Sequence, residues 1–130
     1  MNASLLANQY KKVKTETDLS GADPHKLIAL LYDGALENLK RASGGIKEDN
    51  MEAKARFLNK ALAIVEYLRV SLDPGADLEF SDRLAELSRY MEREMLNASI
   101  NNSPETLEHI ASLIVELKEG WNGIPEEYRS

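Results

Sequence analysis

The stretch Asp23-Pro24-His25-Lys26-Leu27-Ile28-Ala29-Leu30-Leu31-Tyr32-Asp33-Gly34-Ala35 decides the fold class. Asp23 offers a side-chain acceptor to an orphan backbone N–H at a helix start. Pro24 suits the first helical position, where its missing N–H would have had no partner anyway. From there Leu27, Ile28, Leu31, Ala35, Leu39, Ala42 and Ile46 recur at mostly three- and four-residue steps, the spacing of one helix face. Near its end this helix meets Ser43-Gly44-Gly45. Two adjacent glycines cost about 2 kcal/mol relative to alanine in a helix interior, so a kink or an early stop is expected there.

Working outward, three more segments carry the same period. Asn50 is a plausible N-cap for a second helix running to about Leu72, with the stripe Phe57, Leu58, Ala61, Ile64, Val65, Leu68 and Leu72. Asp73-Pro74-Gly75 ends it with two breakers together. A third helix begins between Ala76 and Ser81 and carries Leu84, Leu87, Met91, Met95 and Ala98, closing at Asn101-Asn102. Ser103-Pro104 restarts the chain with an N-cap serine and an N1 proline. The fourth stripe is Leu107, Ile110, Ile114, Leu117 and Trp121, stopped by Gly123 and Pro125. Upstream, residues 5–15 form a shorter helical stretch, followed by a linker over 16–22. Short connections make successive helices antiparallel neighbours. The sequence therefore predicts an all-α protein: an antiparallel up-down-up-down four-helix bundle over residues 23–125. A short N-terminal helical cap segment and linker occupy 1–22, and a polar tail 126–130. No strand pattern and no internal repeat is present.

Composition narrows the function. The 130 residues suit one domain with a single core. Cysteine is absent, so there is no disulfide, thiolate nucleophile or thiolate metal site, in keeping with a reducing compartment. The formal net charge is −6, from 22 acidic and 16 basic residues. Counterion release needs clustered Lys and Arg, so nucleic acid and anionic membrane are disfavoured as main partners. Lys11, Lys12 and Lys14 form one small basic cluster, for which a solvated face is explanation enough. No apolar run approaches the roughly 20 residues that span a bilayer, and the opening residues lack a signal-peptide core. No membrane insertion and a cytoplasmic location are expected. Monomer and homodimer are both compatible with this composition for the free protein.

The four helices are not alike. Spaced about 100° apart, the residues of helices three and four show narrow apolar stripes. Helix one is broader: Leu30 and Gly34 lie on one flank beside Leu27, and Leu36 lies on the other. Helix two is broad as well, with Ile64 and Tyr67 on one side and Leu62 on the other. Either the core absorbs this width, or part of it faces a groove that something must cover, as large exposed apolar patches usually mark partner sites. Gly34 bears on the choice. An interior helix glycine costs up to about 1 kcal/mol and often serves close backbone approach, here by another bundle helix or by a bound partner helix. Leu5, Leu6, Tyr10 and Val13 are candidates to cover the surface in the free protein.

Catalytic constellations are missing from the sequence. His25, in the first turn of helix one, and His109, on helix four, read as surface residues. A di-iron bundle needs two inward Glu-x-x-His motifs, and none is present. Neither a phosphate-cradling glycine loop nor a Gly-x-Ser-x-Gly elbow occurs. No catalytic residue, metal site or cofactor is expected, and the protein reads as a binder rather than an enzyme.

Several runs in order carry a resemblance: Tyr10-Lys11-Lys12-Val13-Lys14-Thr15, Ala22-Asp23-Pro24-His25-Lys26-Leu27-Ile28, and Leu30-Leu31-Tyr32-Asp33-Gly34-Ala35. They are followed by Asn59-Lys60-Ala61-Leu62-Ala63-Ile64-Val65, Ser71-Leu72-Asp73, Tyr90-Met91 and the late Trp121. Together they resemble the flagellin-specific export chaperones, the flagellar secretion chaperone S family. The chain departs from that pattern at Pro74-Gly75-Ala76-Asp77, at Leu87-Ser88 where members often carry Leu-Tyr, and at Gly44-Gly45. The resemblance implies a helical bundle that binds the C-terminal segment of newly made flagellin in the cytoplasm. It also implies that premature polymerisation is prevented and the client is delivered to a component of the flagellar export gate. An N-terminal segment that caps the client surface is implied too, which makes Tyr10 and Val13 candidate contacts. With them, Leu27, Leu30, Leu31, Gly34, Ile64, Tyr67 and Leu68 form the candidate client-binding set. The alternative is a structural or regulatory helical adaptor for another protein.

Overall fold

The computed structural model describes residues 24–71 and 78–123, and every regular element among them is a helix. These are α1 (Pro24–Lys47), α2 (Met51–Ser71), α3 (Leu78–Asn101) and α4 (Pro104–Asn122). The expected all-α bundle is what folds. The 1–22 segment, the Asp23 cap, the Asp73-Pro74-Gly75 breaker and the 126–130 tail lie outside the described residues.

The local signals for helix ends act largely as the sequence implies. Asn50 Oδ1 accepts from the Ala53 N–H at 3.0 Å, capping α2. Ser103 Oγ accepts from the Thr106 N–H at 3.2 Å, with Pro104 in the first turn of α4. At the close of α3, Asn102 takes a left-handed φ of 50°, and the Ser103 N–H reaches back to the Ala98 carbonyl at 3.0 Å. That is a Schellman closure with asparagine where glycine is commonest.

Gly44-Gly45 corrects the expectation of an early stop, because α1 runs through both glycines to Lys47. The stop falls at Asp49, whose φ is 56°. There the Asp49 N–H bonds the Ile46 carbonyl at 3.1 Å and the Asn50 N–H bonds the Gly45 carbonyl at 2.7 Å. Gly45 is required by packing rather than by the helix end. A Cβ at this position would fall 2.7 Å from the Lys54 backbone nitrogen and 3.1 Å from the Asn50 carbonyl oxygen. The α1–α2 hairpin therefore closes more tightly than a side chain allows. Gly44, by contrast, has open space beside it.

Side-chain pairs set the helix directions. Gly45 meets Lys54 and Arg41 lies over Phe57, so α2 runs back along α1. Lys54 Nζ donates to the Ser99 carbonyl at 3.1 Å, and Arg69 pairs with Glu92 at 2.9 Å, so α3 reverses again. Lys47 pairs with Glu108 at 2.8 Å and Lys118 pairs with Asp33, so α4 is antiparallel to α1. Helices consecutive in sequence pack on one another, and α1 against α4 closes the ring. The core holds Leu31, Tyr32, Ala35, Leu39 and Ala42 from α1 and Leu58, Ala61, Ala63, Ile64, Val65 and Leu68 from α2. From α3 it takes Met91, Met95 and Ala98, and from α4 Leu107, Ile110 and Ile114. Among the described residues α1 and α2 give the larger share of this core; of the α2 flank, Ile64 is buried in it while Leu62 and Tyr67 are half-buried.

His25 is the second correction: it is buried, not on the surface. Its ring stacks on Trp121 with centroids 4.6 Å apart and planes 13° apart. Its Nε2–H donates to the Trp121 carbonyl at 2.8 Å, while the Trp121 Nε1–H donates to the His25 carbonyl at 2.8 Å. This reciprocal clasp joins the first turn of α1 to the last turn of α4. His109 is exposed, as expected.

Candidate functional site

The seam between α1 and α2 carries most of the sequence-predicted client residues, and the antiparallel register brings them together. Stepping back from the Arg41–Phe57 level sets Gly34 level with Ile64 and Leu30 level with Leu68. Leu27, Leu30 and Tyr67 are half-buried. Leu31, Ile64 and Leu68 are 1%, 1% and 4% exposed and belong to the core beneath the seam. Gly34 is buried, and its carbonyl accepts from the buried Asn38 side-chain amide at 2.8 Å. Tyr10 and Val13 lie outside the described residues.

The lower half of the same seam has a different chemistry. Phe57 is half-buried, and three cations surround its ring: Arg56 at 4.8 Å from the centroid, Arg41 at 5.4 Å and Lys60 at 5.7 Å. Arg41 also pairs with Glu37 at 2.8 Å one turn earlier, with both side chains exposed. Sequence reading assigned Phe57 to the core stripe and missed this cluster. Arg56 and Lys60 lie on its own helix, but Arg41 reaches it only through the α1–α2 register.

A second concavity lies between α1 and α4, an open cleft of about 650 Å³. Leu36, Gly44, Ala111 and Val115 line it, with Lys40, Lys47 and Glu108 among the polar residues. Leu36 was legible as a flank residue. Val115, 39% exposed, was not, because it falls outside the α4 stripe. The hydrogen bond and charge of Glu108 hold the Lys47 ammonium above its usual range. Among the described residues no group of three or more His, Cys, Asp or Glu could hold a metal ion, and no helix is long and apolar enough to cross a membrane.

A family model described as flagellar protein FliS matches residues 6–128. The chain belongs to the FliS family. A flagellar secretion chaperone FliSB of Pseudomonas aeruginosa is 35% identical over 95% of this chain and 98% of its own length. The FliS of Vibrio cholerae is 35% identical over 100% and 94%, and that of Bacillus subtilis 27% over 82% and 78%. Membership in the FliS family bears out the resemblance carried by the Leu-Tyr-Asp-Gly run. It covers all four helices, so both the seam and the cleft lie on the part of the chain that FliS proteins share.

Proposed function

We propose that this protein is an export chaperone of the bacterial cytoplasm that binds the C-terminal segment of flagellin. In this reading it prevents premature polymerisation and hands the client to a component of the flagellar export gate. The observation that carries the reading is the FliS match across residues 6–128, together with relatives named flagellar secretion chaperones over nearly their whole length. The seam supports it. Leu27, Leu30 and Tyr67 keep apolar surface half-exposed above a well-packed floor, which suits an amphipathic client helix laid in a groove. A client that is unstructured when free spends part of its interaction energy on ordering, which favours release at the export stage. Tyr10 and Val13 take the role of cap or client contact in the same scheme.

Calorimetric titration of the flagellin C-terminal segment into the full-length protein tests this. Saturable binding with a clearly negative heat-capacity change is expected, as apolar burial requires. Leu30→Asp would leave a charge without a partner on the seam and should weaken binding at least roughly tenfold, while thermal melts show the bundle still folded. No binding by the wild-type protein, with capture of a different protein instead, would favour the adaptor reading. Wild-type affinity in a folded Leu30→Asp variant would move the client off this seam.

A further inference from the structure

Three cations around one half-buried ring are hard to explain by the stability of the free bundle. Arg56, Arg41 and Lys60 all lie within 5.7 Å of the Phe57 centroid. A single ring has two faces, so cation–π attraction cannot favour all three equally, and the like charges repel one another. Glu37 answers Arg41 alone. Neither Arg56 nor Lys60 makes an ion pair among the described residues. All this stands on a protein whose formal net charge is −6.

We propose that Arg41, Arg56 and Lys60 around Phe57 form the acidic-residue subsite of the client seam, docking Asp or Glu side chains of the bound segment. The proposal rests on the reading of this seam as the client site and specifies the client's chemistry. Arginine's planar fork suits a carboxylate, and Phe57 holds the stems of its neighbours in place so that less freedom is lost on docking. A docked carboxylate also relieves the repulsion, so the interaction is stronger than an isolated surface pair. Geometry sets the spacing. Leu30 and Arg41 are eleven residues apart on α1, roughly 16 Å at the helical rise. A helical client therefore carries its acidic residues about three turns from the apolar side chains that sit over Leu30. They follow those side chains if the client runs parallel to α1 and precede them if it runs antiparallel.

The test is a double-mutant cycle on the full-length protein. Arg56→Gln with Lys60→Gln removes the unpaired cations from one side. Replacing the Asp and Glu residues of the flagellin C-terminal segment by Asn and Gln removes the anions from the other. Each change alone should weaken binding roughly tenfold, and the two together little more than either, because they delete one interaction. The salt dependence seen with the wild-type pair should flatten in both single changes. Thermal melts of the Arg56→Gln/Lys60→Gln protein should match wild type. Wild-type binding of the segment with unchanged affinity in that variant would overturn the subsite and leave the client reading standing. Failure of the wild-type protein to bind the segment would overturn the client reading and this proposal with it. Binding of a DNA oligonucleotide or of phosphatidylglycerol vesicles as tightly as the segment, lost in the same variant, would overturn it in favour of a general anion surface.

Discussion

Tyr32 sits inside the run most diagnostic of the family, yet it is 4% exposed, and its side chain belongs to the core. Burial disfavours the phenolate and pushes the Tyr32 hydroxyl from its ordinary 10.0 up to about 12. The consequence for stability has a definite sign. Below pH 10 both folded and unfolded chains keep the proton, and the folded protein has its full stability. Between about pH 10 and 12 the unfolded chain releases the proton while the folded chain holds it, so unfolding is favoured increasingly as pH rises. A shift of this size corresponds to roughly 2–3 kcal/mol. Urea unfolding of wild type and Tyr32→Phe between about pH 9 and pH 12 isolates the effect, because the remaining tyrosines and the lysines titrate in both proteins. The wild type should lose stability relative to the variant across that window. Parallel curves would mean that the Tyr32 hydroxyl stays effectively solvated. His25 and Trp121 make a related point about single residues. His25 is buried only because it meets the half-buried Trp121 across 96 positions of sequence.

At the scale of the helix, the paired glycines near the end of α1 behave as opposites although they are neighbours. Gly44 has open space where a side chain would go, and Gly45 has the backbone of α2. Gly44→Ala should therefore stabilise the protein by up to about 1 kcal/mol, through helix propensity and a less flexible unfolded chain. Gly45→Ala should destabilise it by about 1–3 kcal/mol, because backbone rather than a mobile side-chain tip must give way. Chemical denaturation of both variants decides between this and a shared role. If both stabilise, the hairpin is looser than its 2.7 Å approach implies. The contrast also shows why some elements were legible and others not. Asn50, Ser103-Pro104 and Asn101-Asn102 act on backbone groups within a few residues, so their chemistry can be read locally. Gly45 acts on a different helix, and the cation cluster at Phe57 exists only once Arg41 is brought alongside. The apolar half of the seam was legible because it lies on two periodic stripes. The depth of Leu31, Ile64 and Leu68 was not, because the stripes do not say which helix covers them.

Across the whole molecule the four helices are unequally held. α1 packs most extensively, against α2 and then α4, and α3 makes the slightest contacts with its two neighbours. α4 is tied to α1 along its length by Lys47–Glu108, Lys118–Asp33 and the His25–Trp121 clasp. Among the described residues, the buried apolar side chains of α3 are Met91, Met95 and Ala98, the methionines adapting to gaps rather than locking a register, and Ser88 is buried beside them. Polar ties from α2 to α3 and the turn that closes it include the half-buried Arg69–Glu92 pair and the Lys54 bonds to Ser99 and Asn102. Local opening free energies scale with such packing, so α3 should open before the rest. Amides along residues 83–101 are expected to exchange at least roughly tenfold faster than buried α1 amides at neutral pH, about 1.4 kcal/mol in opening free energy. Arg69→Ala should widen the gap by speeding α3 while leaving α1 at its original rate. An α3 that moves independently would let the bundle adjust to a client on the α1–α2 seam without disturbing the α1–α4 pair. Uniform exchange of all four helices at one global rate, in wild type and in Arg69→Ala alike, would mean that the bundle opens only as a single cooperative unit.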